Sequence, residues 1–271
     1  MKRLLRLTSV VSVILLLSAC AQHAPQLRID QPAPQTEAEQ VWAKYRASAE
    51  RRSTEVPFSI SASFRFKTPD SSNRASLRMW GNGNNPVRID ILGPFGSVVA
   101  SLRISDSRSV IFEPDSKRAV YSDSGQELLV RMGLPVPISV QDIVALLRGN
   151  YADLFPKMYD TAYVEGTTNI AYTFPTQPEN KKSSPKLTDG ILVLNKQGVP
   201  LVWEQKGKSM SISFEEYDHG LPDKIRVIAG TERSALFLIK DRSNPVVPFE
   251  AQALELTLPP DTKLEAMRPM P

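Results

Sequence analysis

The chain has 271 residues, 41% hydrophobic and 23% charged, with 33 Lys and Arg against 29 Asp and Glu. Three of the cations, Lys2, Arg3 and Arg6, lie at the very start; the rest of the chain is almost neutral and lacks the concentrated basic face of a nucleic-acid binder. One cysteine excludes a disulfide framework within the chain.

Behind the basic start, LTSVVSVILLLSA is an apolar run of about a dozen residues. It is too short to cross a hydrocarbon core of ~30 Å as a helix, so it reads as an export signal over 1–19. The run ends in Leu17-Ser18-Ala19-Cys20, which resembles the bacterial lipobox. That resemblance implies cleavage before Cys20 and a covalent lipid on its thiol, the only non-protein group expected. Two or three acyl chains, at about 0.8 kcal/mol per buried methylene, anchor stably where one is marginal. The plainer reading is an ordinary secretory signal whose cysteine falls near the cleavage site. Ala21 in place of Asp after the cysteine implies, by the usual sorting logic for such lipoproteins, the periplasmic face of the outer membrane.

Residues 20–35 are polar and proline-dotted, the composition of a tether. Thr36 with Glu39 forms a capping box for a helix to Arg52, with Val41, Trp42, Tyr45 and Ala49 on one apolar face. From Pro57 the period changes to two: Phe58, Ile60, Ala62, Phe64 and Phe66 alternate with Ser59, Ser61, Ser63 and Arg65. ASLRMW, PVRIDIL, SVVASLRI, SVIFE and RAVYS continue the alternation at hairpin spacing, giving an antiparallel meander. Two short helices follow, one capped by Ser124 and Glu127 and stopped by Gly133, the other opened by Ser139 and Asp142 and stopped by Gly149. The segment between Pro175 and Lys186 reads as a mobile loop, and strands resume with DGILVLN, PLVWEQK, MSISFEEY, DKIRVIA, SALFLIKD and ALELTL. The fold class is therefore mainly β with α: a curled antiparallel sheet of about 11 to 12 strands, covered by helices over an apolar cavity.

ASLRMWGNGNNPVRIDILGPFGSVVASLRI, YSDSGQELLVRMGLPVPISVQDIVALLRG and MSISFEEYDHGLPDKIRVIAG resemble, in this order, the outer-membrane lipoprotein receptor LolB and its relatives. The resemblance spans roughly 36–242, with the Pro-Phe-Gly turn and the Leu-Pro-Val-Pro segment its most specific parts. It implies an incomplete antiparallel β-barrel; the domain is read over 36–258, with a Pro-rich tail over 259–271 beyond it. It also implies a monomer that takes lipoprotein acyl chains or phospholipid into its cavity, receives them from a periplasmic LolA-like carrier and helps insert them into the membrane. Two stretches depart from the pattern: the middle from Tyr151 to Lys186 is long, and the chain continues well past Asp241.

In that family a hydrophobic tip between proline and glycine meets the membrane, the position of Phe95 between Pro94 and Gly96. The alternative for Phe95 is a core side chain folded back on the sheet. Strand alternation makes Phe64, Phe66, Leu77, Met79, Ile89, Ile91, Leu102 and Ile104 candidates to line the cavity, or equally a packed core. Trp80 has the opposite parity to Met79.

No catalytic set or metal site is expected. His23 lies in the tether and His219 in a turn, Cys20 is consumed by lipid, and no nucleophile elbow, zinc-ligand helix or phosphate loop occurs. The adjacent Glu215 and Glu216 are expected on opposite faces of a strand. A lipoprotein that docks on another envelope protein without transferring lipid shares these features and stands as the alternative function. Cys20→Ala is expected to move the protein from the membrane to the soluble fraction on cell fractionation.

Overall fold

The structure, a computed structural model, describes residues 27, 29–52, 56–105, 107–123, 138–175, 187–207 and 209–267. Cys20, His23, the helix expected after Ser124 with Glu127 and Gly133, and most of the loop expected between Pro175 and Lys186 lie outside the described residues.

The first part of the chain forms β1 (Ile29–Pro32), α1 (Gln35–Arg52), β2 (Phe58–Lys67), β3 (Ser72–Gly81), β4 (Val87–Leu92), β5 (Val98–Ile104), β6 (Ser109–Glu113) and β7 (Arg118–Ser122). After α2 (Val140–Arg148) come β8 (Ala162–Glu165), β9 (Asn169–Thr173), β10 (Gly190–Leu194), β11 (Pro200–Gln205), β12 (Met210–Asp218), β13 (Leu221–Ala229) and β14 (Arg233–Ser243). A short helix α3 (Ala251–Leu254) and β15 (Lys263–Ala266) complete the described chain.

Among the described residues all the strands join one unclosed sheet of 15 strands, ordered β1-β8-β9-β10-β11-β12-β13-β14-β2-β3-β4-β5-β6-β7-β15. Two antiparallel meanders, β2 to β7 and β8 to β14, are stitched together by β14 and β2, paired from Ser234 opposite Lys67 to Ser243 opposite Ser59. The sheet is mixed rather than wholly antiparallel, because β15 runs parallel to β7.

Four strands exceed the sequence expectation. β1 lies in the segment read as tether, β15 in the segment read as tail, and β8 and β9 in the long middle region. Each has only 4 or 5 residues, and β8, β9 and β15 show no alternation of buried with exposed positions. ALELTL, expected as a strand, forms α3 and irregular chain instead. The cause is tertiary: donors on the outer face of the sheet capture its carbonyls. Trp80 Nε1 donates to Ala253 O at 3.0 Å and Arg88 Nη1 to Glu255 O at 2.5 Å. Asn82 exchanges two hydrogen bonds with the Phe249 backbone at 2.8 and 2.7 Å. The segment is held across β3 to β5 as a strap, and β15 then adds to the edge at β7.

The helices cover the other face. α1 begins at Gln35, one residue before the cap expected at Thr36, and Glu39 accepts from the Gln35 side chain at 2.8 Å. Its stripe of Ala38, Val41, Trp42, Tyr45 and Ala49 is buried against the sheet. Close approach is enforced at Gly198, where a Cβ would stand 2.6 Å from the Tyr45 backbone nitrogen. α2 carries the expected capping box: Ser139 Oγ accepts from Asp142 N at 3.2 Å, and Asp142 Oδ2 accepts from Ser139 N at 2.7 Å. It stops at Gly149, whose φ of 74° is left-handed. A Cβ there would meet the Leu221 side chain at 2.2 Å.

Asn82→Ala is expected to destabilise the fold by about 1–2 kcal/mol, since it leaves the Phe249 backbone donor and acceptor without partners. Asp261→Ala breaks only the exposed pair with Lys117 and should change stability by less than about 0.5 kcal/mol. Urea denaturation of the two variants separates the strap's half-buried anchor from its surface pairing.

Candidate functional site

The inner face of the sheet is apolar in unbroken rows across its strands. Ile60, Met79, Ile89, Leu102, Ile111 and Val120 stand opposite one another from β2 to β7. A second row runs Phe214, Ile225, Phe237, Phe64 and Ala75 through the seam between the meanders. Of the sequence-derived cavity candidates, Phe64, Leu77, Met79, Ile89, Ile91, Leu102 and Ile104 all belong to this one buried cluster, and Phe66 packs half-buried against it. Phe66 and Phe237 flank Phe64 at centroid distances of 5.9 and 6.1 Å.

The two halves of this face are filled differently. Under β9 to β13, α1 inserts Trp42 among Tyr45, Tyr159, Tyr172 and Phe174, with centroids 4.9 to 6.1 Å away. Tyr172 Oη there donates to Ala38 O at 2.8 Å. Leu192, Ile212, Ile225 and Val227 are fully buried there; in the other half Met79, Leu102 and Ile104 are buried as tightly, and Leu77, Ile89 and Ile91 beside them keep slight exposure.

Trp80 faces the outside, where it meets the strap.

At the tip of the β4–β5 hairpin, Gly93 N donates to Ser97 O at 2.9 Å and Gly96 N to Gly93 O at 3.3 Å. These bonds close a tight turn that pushes Phe95 into solvent at 107% exposure, beside the exposed Val98 and Val99. Phe95 has φ 65° and ψ 12°, a left-handed conformation that costs a bulky L-residue about 1–3 kcal/mol. It is not the core residue of the alternative reading.

The opposite end of the sheet holds a feature that the sequence did not announce. A pocket of about 420 Å³ opens between the end of α1, the start of β2, the β12–β13 turn and the end of β14. Arg52, Arg148 and Arg242 line it from three distant parts of the chain, and burial lowers the pKa of all three guanidinium groups. Arg242 reaches the inner face because β14 has a bulge: Ile239 pairs with Ala62 but Asp241 with Ser61, so Lys240 is the extra residue. The bulge shifts the alternation by one, and Arg242 binds Leu147 O at 3.0 Å and Asp223 at 2.9 Å. Alternation alone misplaces this arginine, which is why the sequence did not reveal the cluster.

Glu215 and Glu216 are a second departure from alternation. Both carboxylates grip Lys224, at 2.8 and 3.0 Å, because Glu216 has a φ of 58° and turns to the same side as its neighbour. Hydrogen bonding to Lys224 holds the Glu215 carboxyl below its usual range. His219 is exposed, 3.8 Å from Asp218. Among the described residues no cluster of His, Cys, Asp or Glu is arranged to hold a metal ion, and no helix is long and apolar enough to cross a membrane.

No protein-family model matches the chain, and no curated protein matches it in sequence. Solved structures do match its fold. A LolA superfamily protein from Nitrosomonas europaea aligns over 78% of this chain and 94% of its own, at 15% identity and a TM-score of 0.51. A DUF1329 family protein from Desulfovibrio piger aligns over 80% of this chain and 99% of its own, at 14% identity and the same TM-score of 0.51. The curled, unclosed sheet with helices on its inner face is thus the LolA-like fold, an incomplete β-barrel.

Proposed function

We propose that this protein is a lipoprotein of the outer membrane that binds acyl chains of lipoproteins or lipids against the inner face of its sheet and helps pass them into the membrane. The reading is supported most by Phe95, a large apolar side chain held wholly in water on a left-handed backbone. Neither packing nor backbone preference favours such a residue there. Inserted into the interfacial region of a bilayer, it would gain about 2 kcal/mol by area scaling, roughly thirtyfold in membrane affinity.

Leu77, Ile89 and Ile91, with the flexible Met79 among them, offer chains an apolar lining that adapts to length. Lipid on Cys20, followed by a short tether, would keep the body within reach of the bilayer. A periplasmic LolA-like protein is the natural donor for such a receptor, and the protein acts as a monomer. No step in this scheme breaks or makes a covalent bond.

The test uses a fluorescent acyl-chain probe and liposomes. Phe95→Glu is expected to leave the melting temperature and probe binding unchanged while slowing delivery to liposomes, and Phe95→Leu to preserve delivery. Met79→Leu should be tolerated in all three measurements. Normal delivery by Phe95→Glu would remove the insertion role. A folded body that takes up no probe would replace the whole reading with that of a docking lipoprotein.

A further inference from the structure

The pocket at the end opposite Phe95 has both an apolar floor and a cationic wall. Phe58, Ile60 and Ile239 line it and are members of the buried apolar cluster, so its floor is continuous with the inner face of the sheet. Five of its lining residues are cationic, Arg51, Arg52, Arg148, Lys240 and Arg242, against three carboxylates, Asp218, Asp223 and Asp241. Asp223 is committed to Arg242 at 2.9 Å, and the Arg148 guanidinium stacks over the Phe58 ring at 4.2 Å while bonding Asn84.

Arg52 differs from its neighbours. Its side chain is half-buried, and no hydrogen bond or ion pair satisfies it among the described residues. Partial burial lowers the pKa of this guanidinium, and it lies in a cavity large enough for more than a bare ion. Nearby, the buried Tyr151 hydroxyl also lacks a hydrogen-bond partner, and it is close enough to Arg52 and Arg242 for their charges to act on it. Beyond Asn244, at the pocket's edge, the chain continues into the exposed Val246 and Val247.

We propose that this pocket binds a phosphate group on the Arg52 guanidinium, with Lys240 and Arg242 beside it. The planar fork of an arginine matches phosphate oxygens, and the apolar floor accepts the first methylenes of a chain attached to that phosphate. Where the phosphate belongs to a lipid headgroup, the inference rests on the acyl-binding reading above; binding of phosphate as such does not.

The test uses the full chain carrying Cys20→Ser and three probes: octyl phosphate, octyl glucoside and inorganic phosphate, each titrated calorimetrically. Octyl phosphate is expected to bind more tightly than octyl glucoside, and Arg52→Gln to weaken octyl phosphate roughly tenfold or more while leaving octyl glucoside unchanged. Arg52→Lys should recover part of the loss. Without ligand, Arg52→Gln should melt at the same temperature as the parent, because no hydrogen bond or ion pair is lost; this separates a binding role from a structural one. Arg52-dependent binding of inorganic phosphate alone, with neither octyl compound bound, keeps the anion site and overturns the lipid reading. Equal binding of both octyl compounds, insensitive to Arg52→Gln, overturns the anion site and keeps the acyl reading.

Discussion

The pairing of β14 with β2 is the constraint on which the rest of the molecule depends. Each meander closes its own hairpins locally, but neither alone makes a surface that can curl around helices. The seam brings residues 59–67 against 234–243, a long-range closure whose entropic cost is recovered only through the apolar rows that then become continuous. Phe237 and Phe64 meet across it, and the inner face runs without a break from β12 to β7. The bulge at Lys240 belongs to the same seam. One extra residue there both bends the strand and sends Arg242 to the inner side, so the pairing that builds the apolar face also sets the charged group at its end.

That arrangement gives the sheet two chemically different ends. β2 has 10 residues, about 30 Å at the rise of an extended strand. At one end the β4–β5 hairpin exposes Phe95, Val98 and Val99; at the other, arginines from α1, α2 and β14 gather above Phe58 and Ile60. An amphiphile has the same polarity. The strap over β3 to β5 reinforces this design from outside: its backbone is held by Asn82, Trp80 and Arg88. Past the strap the chain returns to the apolar cluster, against which Met267 packs half-buried.

The long strands were legible because alternation over many residues leaves little freedom. In Phe58–Lys67 a slip of one residue would turn every phenylalanine to the wrong side. The capping box at Ser139 and the stop at Gly149 were legible for a similar reason, since local chemistry alone satisfies the helix ends. The hairpin tip at Phe95 was visible from Pro94 and Gly96, but whether its ring pointed outward depended on the turn's hydrogen bonds. Trp80 could be given a parity but not a side, because its neighbour is the strap, 173 residues away in sequence.

The sequence by itself determined the periodic elements and the apolar character of one sheet face, because each is written in contiguous residues. Only the tertiary structure decided the short edge strands β1 and β15, the irregular course of the strap and the convergence of Arg52, Arg148 and Arg242. Those features arise where the chain breaks its own period, at the Lys240 bulge, or where backbone groups find partners far away in sequence. Period and propensity act over a few residues, whereas a pocket between the ends of four elements exists only once the whole sheet has curled.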